Sequence, residues 1–134
     1  MLNAHRSMLL AAAVSVCISS ASLAADPNAT GLPTYPHDGG GKMDAAYRSI
    51  PNGQHCMHYQ GDTPDSLADV EGWYRKQMPN AKTGDVNKDS LYGSYFKLDG
   101  IKLLLGNDIV NIYRMENQKT TSIEIFKCKD APHG

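Results

Sequence analysis

An apolar leader constrains this chain before any of its elements is read. Residues 1–7 carry Arg6, residues 8–18 (MLLAAAVSVCI) are apolar except for Ser15, and residues 19–25 (SSASLAA) are small. A positive start, a short apolar run and a small-residue exit, with Ser22 and Ala24 at the third-last and last positions before the cut, describe a secretory signal peptide. The run is too short to span a bilayer as a stable helix. The reading predicts a cleaved leader over residues 1–25, a mature chain starting at Ala25 or Asp26, and export to the periplasm or secretion. About 110 residues then remain, enough for one small domain and not for two.

Export also fixes the meaning of the cysteines. Of the three in the chain, Cys17 leaves with the leader, and Val16 before it is not the small residue that lipid attachment requires. Cys56 and Cys128 are left as an even pair in an oxidising compartment, without a C-x-x-C or cysteine-protease signature around either. A disulfide between them is expected. The mature part carries 12 Lys plus Arg, the total of 13 less Arg6, against 14 Asp plus Glu. A net charge near −2 without a basic run argues against nucleic acid and anionic membrane as partners. No second apolar stretch is long enough to cross a membrane as a helix, so the mature protein is expected to lack a transmembrane segment and to be a monomer or small homo-oligomer.

Residues 26–41 (DPNATGLPTYPHDGGG) are rich in Pro and Gly, lack apolar periodicity and read as a flexible arm. Asn28-Ala29-Thr30 matches the glycosylation acceptor pattern, which matters only in a eukaryotic source. Residues 42–50 suit either a short helix or a strand, and Pro51-Asn52-Gly53 closes them with a turn. Residues 55–60 read as a strand. A helix follows, with Thr63 as N-cap, Pro64 at its first position and Asp65 at its positive end. Leu67, Val70, Tyr74 and Met78 form one apolar stripe on it, and Pro79-Asn80 stops it.

After the helix the pattern is β-like. Residues 91–98 are rich in Tyr, Phe and Leu, and Asp99-Gly100 is a pair favoured by two-residue hairpin turns. Residues 101–105 and 109–115 follow around Gly106-Asn107-Asp108, and residues 120–128 alternate through Thr121, Ile123 and Ile125. The expected architecture is α+β, in the order β-α-β-β-β-β. An antiparallel sheet of four or five strands carries one amphipathic helix across one face, and one disulfide ties the first strand to the last. The domain spans 42–130, with a C-terminal tail over 131–134.

Candidate chemistry is sparse. His55-Cys56-Met57-His58 offers copper ligands, but on a strand residues three apart face opposite sides, and a disulfide would remove Cys56. Asp85-Val86-Asn87-Lys88-Asp89 opens like a calcium loop, with Asp85, Asn87 and Asp89 on alternate residues. The glycine and acidic residue that such loops need at their sixth and twelfth positions are Ser90 and Phe96 here. Copper at His55 and His58 and calcium at Asp85–Asp89 are therefore the only metals suggested, and half-exposed strand histidines and a solvated loop are the plainer accounts. No G-x-S-x-G, H-E-x-x-H or phosphate-binding glycine loop occurs, and no residue is nominated as catalytic. Tyrosines dominate the aromatic residues, and Trp73, Tyr92 and Tyr95 are the candidates for an interaction surface.

Tyr35-Pro36, then Thr63 and Asp65, then Val70 and Trp73-Tyr74-Arg75, together resemble a pattern of small exported bacterial proteins of unassigned function. In these a Y-P arm precedes a strand, and a helix opening T-x-D carries V-x-x-[FW]-Y-[RK]. The resemblance covers mainly residues 35–79 and implies a one-helix α+β domain of the cell envelope; no activity comes with it. The order of elements is also similar to cystatin-like folds, by topology alone. Cystatins that inhibit papain-type proteases use a Q-x-V-x-G hairpin, which Lys97-Leu98-Asp99-Gly100-Ile101 does not match. Three readings stay open, in this order: a non-enzymatic binding or accessory domain, inhibitor- or immunity-like, for a protein or small ligand; a small metal-binding protein of the envelope; and an enzyme without a recognisable signature.

Overall fold

Alternation of side chains across extended backbone builds a six-stranded antiparallel sheet in the computed structural model, which describes residues 28–88, 92–93 and 95–133. In chain order the elements are β1 (Lys42–Ser49), β2 (His55–Thr63), α1 (Leu67–Gln77), β3 (Lys82–Gly84), β4 (Leu98–Leu105), β5 (Asp108–Met115) and β6 (Thr121–Cys128). The strands lie in the order β1-β2-β6-β5-β4-β3. The leader expected over residues 1–25 lies outside the described residues. No helix among the described residues is long and apolar enough to cross a membrane.

The α+β class, the helix stripe and the meander of the last three strands match the sequence reading; the strand count does not. The order is β-β-α-β-β-β-β. Residues 42–49 form the edge strand β1, whose largely exposed side chains hide it from a burial-based reading. Its register with β2 shifts between Asp44 and Arg48, a bulge of the kind that blunts an open edge. The other edge, β3, has only three residues. The strand expected over residues 91–98 is absent from the described part: residues 92–93 and 95–96 form turns, and only Leu98 belongs to a strand.

Asp99-Gly100 does not make a hairpin turn. Both residues lie within β4, paired with Arg114 and Tyr113. Gly100 has φ +156°, and a Cβ there would sit 2.0 Å from the Ile112 carbonyl oxygen. The glycine serves close approach of two backbones. The turn is Gly106-Asn107, where Gly106 at φ +60° opens the two-residue link between Leu105 and Asp108.

The helix begins later than expected. Thr63 is the last residue of β2, paired with Thr121, and Ser66 is the N-cap, its side chain accepting the Asp69 N–H at 3.2 Å. Asp65 therefore precedes the helix, and Asp69 occupies the first turn. Thr121 Oγ1 at 2.7 Å and an Arg114 terminal nitrogen at 3.0 Å both donate to the Asp65 carbonyl, tying the helix entry to β5 and β6.

On the helix side Val70, Tyr74 and Met78 pack on Tyr59, Ile101, Leu103, Val110, Ile112, Ile123 and Ile125. Residues 28–41, expected to be a flexible arm, pack along this side from Asn28 onward. Tyr35 joins the core, the Tyr74 hydroxyl donates to the Pro33 carbonyl at 2.9 Å, and the Tyr59 hydroxyl donates to Asp38 at 2.7 Å. Prolines and glycines fix this path without apolar periodicity, and three buried tyrosines provide the anchors that composition alone conceals.

Cys56 and Cys128 are directly paired residues of β2 and β6, with their sulfurs 2.00 Å apart, at disulfide distance. The bond lies on the sheet face away from the helix, against Ile50, Ile109 and Phe126.

Candidate functional site

The helix-free face is polar at its centre and nevertheless buried. Cross-strand pairing sets Gln60 of β2, Glu124 of β6, Asn111 of β5 and Lys102 of β4 in one row. Glu124 and Asn111 are both 0 % exposed and Lys102 is 5 % exposed. The segment between β3 and β4 covers them. Its Val86 packs with Leu98 on Tyr113, its Tyr92 ring lies 6.4 Å from the Tyr113 ring, and its Lys88 carbonyl receives the Lys102 ammonium.

Burying a carboxylate requires partners. Asn111 Nδ2 donates to Glu124 Oε1 at 2.9 Å. The other oxygen, Oε2, lies 3.3 Å from His58 Nε2, out of line for a hydrogen bond. His58 Nε2, Asn111 Oδ1 and Glu124 Oε2 are thus buried without a hydrogen-bond partner among the described residues. Such orphans are rare in folded proteins, and each calls for an explanation such as strain, a chemical role, or a bound water or ion. The His58 ring is held flat on Phe126, centroids 4.7 Å apart. Burial, and after it the charge of Glu124, pushes the Tyr113 phenol above its usual range, while the hydrogen bond from Gln60 opposes the shift.

An open cavity of about 480 Å³ at the β1–β2 edge meets this row only at Gln60, with Lys42, Asp44, His58, Asp62 and Tyr92 among its other lining residues. Asp62 accepts the Ser122 hydroxyl at 2.9 Å, and Asp44 holds Arg48. The walls offer carboxylates, an amide, an imidazole and a tyrosine ring, a set suited to a hydrophilic ligand with several donors. A second opening of about 350 Å³ at the β3–β4 end includes Gln54, Lys88, Lys102 and Asn107.

No protein family matches this chain, and neither a curated protein nor a solved structure matches it.

The structure separates the two histidines singled out in the sequence. His58 borders the polar row, paired across the sheet with Phe126, whereas His55 Nδ1 pairs with Asp130 Oδ2 at 2.8 Å. His133 Nε2 reaches the same oxygen at 3.3 Å. The hydrogen bonds from the His55 side chain and backbone hold the Asp130 carboxyl well below the usual carboxylate range. In the calcium-like segment, Asn87 turns its amide inward: Oδ1 accepts the Leu98 N–H at 2.8 Å and Nδ2 donates to the Leu98 carbonyl at 3.1 Å. Asp85 accepts the Asn87 N–H, and Asp89 lies outside the described residues. Asn87 thus imitates a strand partner for β4, both ends of its amide being engaged with Leu98.

The three aromatic candidates do not form one surface. Trp73 packs on the helix-side core, edge-on to Tyr35 and Tyr74. Tyr92 lies on the opposite face as a wall of the cavity, and Tyr95 is 81 % exposed. Sequence reasoning missed Glu124, Asn111, Asp130 and His133. The available signal for the first two was a polar residue flanked by apolar ones in neighbouring strands, Val110-Asn111-Ile112 and Ile123-Glu124-Ile125.

Proposed function

We propose that this chain is an exported, non-enzymatic binding domain that holds a small amine-bearing ligand in the cavity over the polar row. The observation that carries the reading is Glu124, wholly buried with one carboxylate oxygen unanswered beside two further orphaned polar atoms. A protonated amine brings several N–H donors and a positive charge, which suit Glu124 beneath the His58 and Gln60 walls of the cavity. Asp44 and Asp62 at the mouth favour the same charge, and Tyr92 supplies a face for it. The leader pattern and the cysteine pair support export, and an accessory role outside the cytoplasm, inhibitor- or immunity-like, fits a chain of this size.

The test is a titration of isotopically labelled protein with a panel of primary amines, diamines and amino acids, followed residue by residue by NMR. Saturable shifts centred on His58, Gln60 and Tyr92, lost in Glu124→Gln, are expected. Shifts that spread over the surface without saturating, or that persist unchanged in Glu124→Gln, would sink the reading. A mature mass beginning at Ala25 or Asp26 in the host's envelope fraction or medium checks the export half; a full-length cytoplasmic product contradicts it.

A further inference from the structure

At the disulfide end of the sheet, away from the cavity, three ligand-type side chains converge. His55 Nδ1, a carboxylate oxygen of Asp130 and His133 Nε2 all lie within 4.8 Å of one another. Two of the separations, 2.8 and 3.3 Å, already meet at a single oxygen, Asp130 Oδ2. Ligand atoms about 2.0 Å from a tetrahedral ion sit about 3.3 Å apart, so the His133–Asp130 separation already fits, the His55–Asp130 pair has to open slightly and the two ring nitrogens have to settle at the same spacing.

The convergence is built by the backbone. His55 precedes a disulfide cysteine, and Asp130 follows the other by two residues. The Lys129 N–H donates to the His55 carbonyl at 3.1 Å and the His133 N–H to the Asn52 carbonyl at 3.0 Å. Gln54, 1 % exposed, donates from Nε2 to the Asp130 carbonyl at 2.8 Å. Asp130 Oδ1 accepts the His55 N–H at 2.7 Å, leaving Oδ2 as the oxygen both rings face. Gly53 makes room for the tail, since a Cβ there would meet the His133 Cβ at 2.8 Å. A tail that merely drifted over the surface would need none of these bonds.

We infer that His55, Asp130 and His133 form a binding site for a divalent first-row transition ion. Two imidazoles and one carboxylate suit copper(II), nickel(II) and zinc(II), and the order of intrinsic affinities places copper(II) tightest. All three side chains are partly open to solvent, so water completes the coordination. The ligand set differs from the sequence motif: His55 takes part, while His58, on the other side of β2's alternation, does not.

The experiment is copper(II) and zinc(II) titration of tag-free protein with its disulfide intact, read by native mass spectrometry and, for copper, by electron paramagnetic resonance. One ion per chain with two nitrogen donors is expected, copper binding more tightly than zinc. Replacing His133, an exposed tail residue that belongs to no strand, should lower affinity at least tenfold in His133→Ala, a conservative bound for a direct ligand given what outer-shell partners contribute. His58→Ala and His37→Ala should bind as the parent does. Parent-like binding by His133→Ala with an unchanged melting curve overturns the proposal, as does loss of binding in His58→Ala or His37→Ala. Binding of several ions with no stoichiometric step overturns it as well.

Discussion

Ile123 and Glu124 are neighbours on β6 and both fully buried, yet they face opposite sides of the sheet and are covered by different means. Ile123 lies under a helix whose apolar stripe meets it, and its burial is the ordinary consequence of removing hydrocarbon from water. Glu124 lies under an irregular segment, in a row of polar side chains, with a carboxylate oxygen unanswered. One face is held by packing. The other is held by a disulfide at one end, a small apolar cluster around Tyr113 at the other, and hydrogen bonds between them. The unsatisfied buried side-chain atoms among the described residues thus all lie on one face, while the other face is closed by apolar packing.

The largest expected effect tests the staple of the polar face. The cysteines are 72 residues apart, and loop-closure entropy assigns such a bridge about 4 kcal/mol. Cys56→Ser with Cys128→Ser should lose a comparable amount in urea unfolding, whereas each single variant, with a free thiol left, should form disulfide-linked dimers on a non-reducing gel. The next effect compares the faces directly. Ile123→Ala should cost about 2–5 kcal/mol, the usual result of a cavity in a packed core. Glu124→Leu leaves the Asn111 amide without its acceptor and should cost about 1–3 kcal/mol. The double variant Asn111→Leu/Glu124→Leu should recover most of that loss, because an apolar pair replaces a buried polar one at little net cost. A double variant less stable than Glu124→Leu alone would mean that the polar row supports the fold, and the contrast between the faces would collapse.

The helix-side half was legible in the chain, because a stripe at Leu67, Val70, Tyr74 and Met78 and alternation through Ile123 and Ile125 are local signals that packing then satisfies. The polar half was not. Alternation marks Glu124 and Asn111 as solvent-facing, and only a segment some twenty residues or more away in the chain, through Val86 and Tyr92, buries that face. Gly100 was misread for a related reason: Asp-Gly is a turn signal in isolation, and the backbone that crowds it comes from β5. Ser66 was overlooked as N-cap because Thr63 has the same chemistry three residues earlier, and pairing with Thr121 claims Thr63 for β2. Nothing local connects His133 to His55; the tail meets the strand because Gln54 and Asn52 hold it there.

The smallest expected effect is electrostatic and sets Tyr35 on the helix side against Tyr113 on the other. The Tyr35 hydroxyl donates to Asp65, which also accepts from His37. The Tyr35 bond, and then the His37 bond, hold the Asp65 carboxyl below its usual range. A depressed folded value means that this contact stabilises the protein above the unfolded carboxylate value of about 4 and that the contribution fades as pH falls below it. The same pair acts at the alkaline end. Burial first, and then the hydrogen bond to Asp65, pushes the Tyr35 phenol up to about 12. A phenol raised in the folded state contributes stability that is complete below its unfolded value of about 10 and is lost as pH climbs through the folded one. Tyr35→Phe should therefore reduce the slope of both limbs of a stability-versus-pH curve, whereas Asp65→Asn should remove all of this contact's share of the acid limb and only part of its share of the alkaline limb. Tyr113 is raised by burial and by Glu124, so Glu124→Gln should lower its ionisation point and leave that of Tyr35 unmoved. Ultraviolet titration of tyrosinate reads both. If Glu124→Gln moves neither phenol, the buried carboxylate carries no charge that Tyr113 feels, and the electrostatic side of the contrast between the faces fails while the packing side stands.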